Sequence, residues 1–166
     1  MGKVVELSLL AESLQELKFT GKKIVYCHGC FDLMHPGHIK YFQSAKKMGD
    51  VLVVTVTPDI YVDKGSDRPV FSEALRAESI AALECVDYVA INKWPTAVET
   101  LKLLKPNIYV KGQEFEGRED KTGKLQQEQK ILLEIGTEMR YTHEVVFSST
   151  KLLNEYFLRF QDEYRR

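Results

Sequence analysis

The chain has 166 residues, 44% of them hydrophobic and 28% charged, which suits one compact domain with a substantial core and leaves little room for a second. Its 23 basic residues against 24 acidic ones give a formal net charge of −1, so no global field recruits nucleic acid and any polyanion site must be built from local groups. Met1 to Leu17 alternates apolar and polar residues too often for a signal h-region, and no apolar run approaches a membrane span; a cytoplasmic protein without membrane or nucleic-acid partners is expected.

In chain order, Leu7 to Leu17 predicts a preliminary helix inside an N-terminal extension over residues 1–20. Lys23 to Cys27 opens a short buried strand over 23–28, and Pro36 suits the first position of a helix over 36–48 that Gly49 stops. A strand follows at 51–56, then a helix at 72–83 with Ser72 as N-cap, a strand at 86–91, a helix at 95–104 and a strand at 107–111. Residues 113–124 carry charge and glycine without apolar periodicity and predict a mobile loop; a helix at 125–135 ends at Gly136, and a strand at 139–142 and a helix at 149–163 complete the chain. Five buried strands alternating with helices predict an α/β fold with a parallel sheet covered on both faces.

The most informative stretch joins Gly29, Cys30, Phe31 and Asp32 to His35, Pro36, Gly37 and His38. A strand end, a glycine turn and a helix start place unpaired N–H groups and the positive end of a helix dipole beside two imidazoles at i and i+3, a device for handling phosphate. Other fingerprints fail. Gly117 to Leu125 is one residue too long for a P-loop and lacks its Ser or Thr; no G-x-G-x-x-G follows the first strand, and no H-E-x-x-H is present. Cys27 and Cys30 have C-x-x-C spacing, but the only other cysteine, Cys85, brings no second pair, so neither a zinc site nor a redox centre is favoured over structural thiols.

Gly29 to Phe42 and Ala45 to Asp50 resemble the nucleotidyltransferase superfamily marked by an HxGH motif, most of all the adenylyltransferase domain of the heptose-phosphate pathway. Arg68 to Val70, Arg76 to Glu78, Cys85 to Val89, Lys105 to Asn107, Val110 to Gly112 and Phe147 to Lys151 are similar to it in the same order, so the resemblance spans residues 22 to 155. It implies a Rossmann-like three-layer α/β/α fold with a five-stranded parallel sheet. It also implies transfer of an NMP group from an NTP, with Mg²⁺, onto a phosphorylated sugar or polyol, releasing pyrophosphate. No metal held directly by protein ligands is expected. The resemblance assigns His35, His38 and Lys64 to catalysis on the triphosphate. Gly29, Cys30, Phe31, Gly37, Lys111, Gly112, Ser148, Ser149 and Thr150 would bind the nucleotide, and Asp32, Arg68 and Arg76 the acceptor. Lys46, two turns beyond His38, reads as structural or surface.

Two features depart from the pattern. Thr142 to Val146 lack the Arg-Thr-Glu-Gly that precedes the serine/threonine motif in many cytidylyltransferases, which weakens CTP as the nucleotide, and the overall resemblance to the heptose-phosphate adenylyltransferase domain makes ATP the expected one. After Gly112 a longer charged insertion begins with Gln113, so the acceptor need not be a heptose 1-phosphate; glycerol 3-phosphate with CTP is the alternative. A nucleotide sensor without transferase activity is the competing class, and the presence of His38, Lys64 and Ser148 to Thr150 argues against it. Relatives form homodimers and are often fused to a sugar kinase, and the charged stretch Arg159 to Arg166 leaves room for a longer polypeptide.

Overall fold

The computed structural model describes residues 3–65, 68–117 and 123–157. Six parallel strands form one sheet in the order β1-β4-β3-β2-β5-β6, comprising β1 (Lys3–Val4), β2 (Ile24–Gly29), β3 (Val51–Val56), β4 (Tyr88–Ile91), β5 (Ile108–Gly112) and β6 (Glu138–Thr142). The five expected strands are all present within two residues of the expected bounds; β1 is an addition at the edge, paired with β4 through Lys3 and Val4. At two residues it is too short for any periodicity to announce it.

The helices are α1 (Leu7–Phe19), α2 (Pro36–Lys46), α3 (Glu73–Ala81), α4 (Val98–Leu104), α5 (Lys124–Ile135) and the one-turn α6 (Ser149–Leu152). The expected last helix passes into a π-turn over Leu153–Phe157, and its remainder, like residues 118–122 of the expected loop, lies outside the described residues. The β period of two sorts every central strand between two cores. Val25, Cys27, Leu52, Val54, Ile108 and Val110 face α2 and α3. Ile24, Tyr26, Val51, Val53 and Tyr109 face α1, α4 and α5. Leu7, Leu10 and Leu14 of α1 belong to that second core, so the amino-terminal helix is a full member of its layer rather than an appendage. Each such burial stabilises by about 1.5–3 kcal/mol.

Local chemistry sets the element ends. Ser72 caps α3 by accepting from the Leu75 amide at 3.4 Å, and Gly136 closes α5 in the left-handed region at φ 70°. Gly49 is needed for room: a Cβ there would lie 2.7 Å from Val25 Cγ2 and 2.8 Å from the Lys23 carbonyl oxygen. From β2 the chain runs outward to β3 and β4, then returns to the other side of β2 as β5 and β6. The carboxyl ends of β2 and β5 therefore flank a topological switch point, where open parallel sheets bind their ligands.

Candidate active site

A two-lobed cleft opens at that switch point. One lobe, of about 190 Å³, is bounded by the β2–α2 loop, the segment after β5 and the segment Thr142–Phe147; the other, of about 310 Å³, lies toward β3 and β4. His28, Gly29, Cys30, Lys64, Lys111 and Phe115 line both.

His35 sits at the N-cap of α2 with extended backbone, and its Nδ1 accepts from the His38 amide at 3.3 Å. That bond assigns the ring proton to Nε2, which is buried without a partner. His38 stacks on it with ring centroids 3.8 Å apart and an interplanar angle of 14°, and its own buried Nδ1 is also unpartnered. Burial above all, then the neighbouring His35 and Lys64, depresses the His38 pKa to about 3; burial and Lys64 also lower that of His35. Two neutral rings thus present unsatisfied nitrogens at the start of a helix, where an anion is favoured by dipole and hydrogen bond together. Lys64 is exposed, lines both lobes and has no hydrogen-bond or ion-pair partner among the described residues. Gly37 lets this corner close: a Cβ would press on His35 Nδ1 at 3.0 Å and on Phe147 at 3.1 Å.

The β2–α2 loop is held in a costly shape. Phe31 and Leu33 have φ of 50° and 54°, in the left-handed region that side chains disfavour by roughly 1–2 kcal/mol each. The buried Phe31 ring packs 4.9 Å from Phe42 and edge-on to His38. The loop carbonyls are bound by protein: that of Cys30 accepts from Arg76, and those of Asp32 and Leu33 accept from Ser149 Oγ at 2.7 and 3.2 Å. None of these three carbonyl dipoles is left to oppose an incoming phosphate.

The residues expected to bind the acceptor have protein partners in this structure, although Arg68 Nη2 is buried without one. The Asp32 carboxylate is buried and accepts from the amides of Val70 at 3.0 Å and Phe71 at 3.2 Å, and from Arg68 Nε at 2.6 Å. Burial raises its pKa, but the Val70 amide, Arg68 and the Phe71 amide outweigh that and hold it below the ordinary carboxylate value. Arg68 supplies the countercharge that a buried carboxylate requires, and its Nη1 reaches Thr150 Oγ1 at 3.4 Å. Arg76, only 2% exposed, donates to Phe71 O at 3.0 Å, Thr57 O at 2.8 Å, Asp59 Oδ1 at 2.6 Å and the Cys30 carbonyl. None of Asp32, Arg68 and Arg76 lines either lobe; they brace the loop. The serine/threonine run is likewise engaged with protein: Ser148 caps α6 through the Lys151 amide, Ser149 pins the loop, and Thr150 meets Arg68. Lys46 bridges Asp50 O and Asp87 at the opposite end of the helix, as its place two turns beyond His38 implied.

Gly29, Cys30, Phe31, Lys111 and Gly112 do line the cleft, joined by residues that no motif signalled. His28, one residue beyond the buried run of β2, bonds Thr55 Oγ1 at 2.8 Å through Nδ1, and burial together with the Lys111 charge lowers its pKa to about 3. Tyr41 donates to Val110 O at 2.6 Å. The first residues of the expected mobile loop form a 3₁₀ turn, Gln113–Phe115, and Gln113 Nε2 donates to Glu144 O at 2.6 Å, so this part of the insertion is a wall of the site. Cys27 is buried, its thiol pushed up to about 12 by that burial, and all three cysteines are free.

Residues 26–154 match the family model described as cytidylyltransferase-like. Over 116 residues, 69% of this chain and 24% of the relative, the sequence is 46% identical to Bifunctional protein HldE of a Nitratiruptor species. Over 115 residues, with shares of 68% and 24%, it is 46% identical to the protein of that name from Geobacter metallireducens. The matched part thus amounts to about a quarter of the length of these curated relatives. Among solved structures, the lipopolysaccharide core biosynthesis protein from Thermoplasma volcanium superposes with a TM-score of 0.63 at 28% identity, covering 76% of this chain and 100% of that one. Pantothenate synthetase from Thermus thermophilus also superposes with a TM-score of 0.63, covering 95% of this chain and 70% of that one; at 14% identity the likeness is one of fold.

Proposed function

The chain belongs to the cytidylyltransferase-like family and is a nucleotidyltransferase domain; from that premise we propose that it moves AMP from ATP onto a phosphorylated sugar of the heptose 1-phosphate kind. The observation that carries the reading is the pair of neutral, stacked imidazoles with buried unpartnered nitrogens at the start of α2, facing Lys64 across the junction of the two lobes. An acceptor phosphate is already ionised at neutral pH, so no base is required. Its oxygen attacks the α-phosphorus, the bond from that phosphorus to the β-phosphate bridging oxygen breaks, and pyrophosphate leaves with the bond's electrons.

The protein's part is alignment and charge. His35 Nε2–H, the His38 ring and the α2 N-terminus hold the α- and β-phosphates, and Lys64 meets charge that develops on the leaving group. The nucleotide occupies the lobe beside Phe115, Val145, Val146 and Phe147, whose apolar faces suit a purine, and the acceptor approaches from the lobe toward β3 and β4. The histidine and lysine nitrogens at the cleft suit phosphate oxygens, and Mg²⁺ would be held by the triphosphate's own oxygens. When bound there it would neutralise β- and γ-phosphate charge. ATP is favoured by the resemblance to the heptose-phosphate adenylyltransferase domain, and the missing Arg-Thr-Glu-Gly weakens CTP. The relatives' name, bifunctional, supports a second activity on the same natural polypeptide, and the resemblance makes that activity a sugar kinase.

The test is pyrophosphate release with Mg²⁺ across the four NTPs, each paired with heptose 1-phosphate, other sugar 1-phosphates, glycerol 3-phosphate and FMN. Acceptor-dependent release with ATP and a sugar 1-phosphate, falling about 10²–10³-fold in His38→Ala, is the expected result. Preference for CTP with glycerol 3-phosphate would replace both substrates, and NTP binding without release from any pair would leave a sensor.

A further inference from the structure

The acceptor lobe contains a charged residue that neither the motifs nor the transfer chemistry uses. Glu128 lies on α5, just beyond the insertion where the chain departs from the heptose-phosphate pattern, and it is 4% exposed in the wall of that lobe. Lys111 Nζ stands 3.0 Å from Glu128 Oε2, close enough to pair the charges, yet off the direction of a hydrogen bond, so that Oε2 is buried with no donor on it. The Tyr109 hydroxyl, its pKa raised well above the ordinary range by burial above all, then by the Glu128 charge and its approach to that carboxylate, stands near Glu128 but outside hydrogen-bond geometry with it. The lysine is itself nearly buried, poised 5.1 Å from the centres of the Tyr109 and Phe115 rings. A buried ion pair with an unfilled acceptor is a poor device for stability, because desolvating both charges costs more than their attraction returns until every lone pair is matched. Such a pair makes sense where a ligand brings the missing donor.

The rest of the lobe narrows the ligand's chemistry. Thr57, Tyr61 and Thr96 offer hydroxyls that both donate and accept, and Asp63 adds a second carboxylate near the rim. Lys64, Lys111 and Lys124 line the same lobe, so its charge is mixed: cations are present for a phosphate, and the Glu128 carboxylate and the hydroxyls for a hydroxylated body. An aliphatic body would leave the Glu128 oxygen unpaired. A ligand with one phosphate at one end and several hydroxyls at the other matches both sets of groups.

We infer that Glu128 is the residue that selects the acceptor: its buried carboxylate accepts a hydrogen bond from a ring hydroxyl of the phosphorylated sugar, while Lys111, paired with it at 3.0 Å, holds it in place. This rests on the transferase reading above, and it restricts the substrate class to polyhydroxylated monophosphates. Sites built to hydrogen-bond a hydroxyl reject analogues lacking it far more strongly than apolar pockets reject a methylene.

Titration calorimetry reads the inference without turnover. The 166-residue chain is titrated with heptose 1-phosphate, with a series of its deoxy analogues each lacking one hydroxyl, with glycerol 3-phosphate, and separately with a non-hydrolysable ATP analogue. One deoxy analogue should bind the wild-type chain at least tenfold more weakly than the parent. Glu128→Gln should weaken the parent by a similar factor, leave that one analogue's Kd unchanged, and keep the ATP analogue within twofold. Equal losses of affinity for every sugar phosphate in Glu128→Gln, or a loss confined to the ATP analogue, would overturn it. The wild-type deoxy series needs no variant, so equal affinity across it overturns the inference even if Glu128→Gln fails to fold. The transferase reading fails by a different result: the expected calorimetric pattern with no pyrophosphate release from any nucleotide.

Discussion

Arg76 offers the sharpest test of how this site is held. The resemblance makes it an acceptor contact, whereas the structure buries its guanidinium behind the loop with bonds to the carbonyls of Cys30, Thr57 and Phe71 and to Asp59. Arg76→Ala removes all of these at once. Three part-buried carbonyls are left without that donor, each costing about 1–2 kcal/mol at most; the Asp59 side chain is 37% exposed and rehydrates, so its lost ion pair adds little. The sum, about 3–6 kcal/mol, is a large share of the ~5–15 kcal/mol that holds a domain together. It corresponds to a fall of roughly 10–20 °C in Tm for a chain of this size. Arg76→Lys keeps the charge but cannot span four acceptors, and should sit between wild type and Ala. Urea and thermal unfolding by circular dichroism give the stability, and pyrophosphate release gives KM for each substrate. A loss below about 1 kcal/mol in Arg76→Ala, with acceptor KM rising and nucleotide KM unchanged, would refute the bracing role and restore the acceptor contact.

Ser149 and Ser148 should separate although they are neighbours. Ser149→Ala takes the donor from the carbonyls of Asp32 and Leu33, costing about 1–2 kcal/mol in urea unfolding and raising nucleotide KM several-fold as the loop loosens. Ser148→Ala removes only an exposed cap, bonded at 3.3 Å, for about 1 kcal/mol or less, and a larger KM effect there would contradict this ranking. Stability should also decline in acid. His28 and His38 resist protonation in the folded chain down to about pH 3, while the unfolded chain takes up those protons below about 6.5. The folded state is therefore penalised as pH falls through the unfolded value, by up to about 2 kcal/mol per histidine at pH 5, and the contribution is constant above about pH 7. Urea unfolding between pH 5 and 8 measures this: His28→Asn and His38→Asn should each flatten the profile, and slopes that neither variant changes would sink the assignment.

Local signals account for what was legible in the chain. The β2-loop-α2 unit, Pro36 as the first helical residue, Ser72 and Gly136 as caps, and the alternation of strand and helix all express backbone preferences decided within a dozen or so residues. The same holds for His35 and His38: once Pro36 starts the helix, a spacing of three stacks the rings on one face. Two charged residues have surroundings that no local signal announces. Charge ordinarily implies solvent or ligand, yet Asp32 and Arg76 are each bonded to a partner remote in sequence. The insertion after Gly112 carries charge and glycine that suggest mobility, but Gln113 finds the Glu144 carbonyl and fixes its beginning.

By itself, then, the order of residues determined the α/β architecture, the switch-point loop, the paired histidines and the family, because each rests on short-range backbone and helix geometry. Tertiary structure alone decided which polar groups turn toward the cleft and which turn behind it. Arg76 meets Cys30 across 46 positions and Ser149 meets Asp32 across 117, and Glu128 joins Lys111 only when α5 packs against α4 and β6. A buried polar side chain goes wherever its hydrogen bonds can be completed. In this chain those partners are brought together by the folding of the whole sheet.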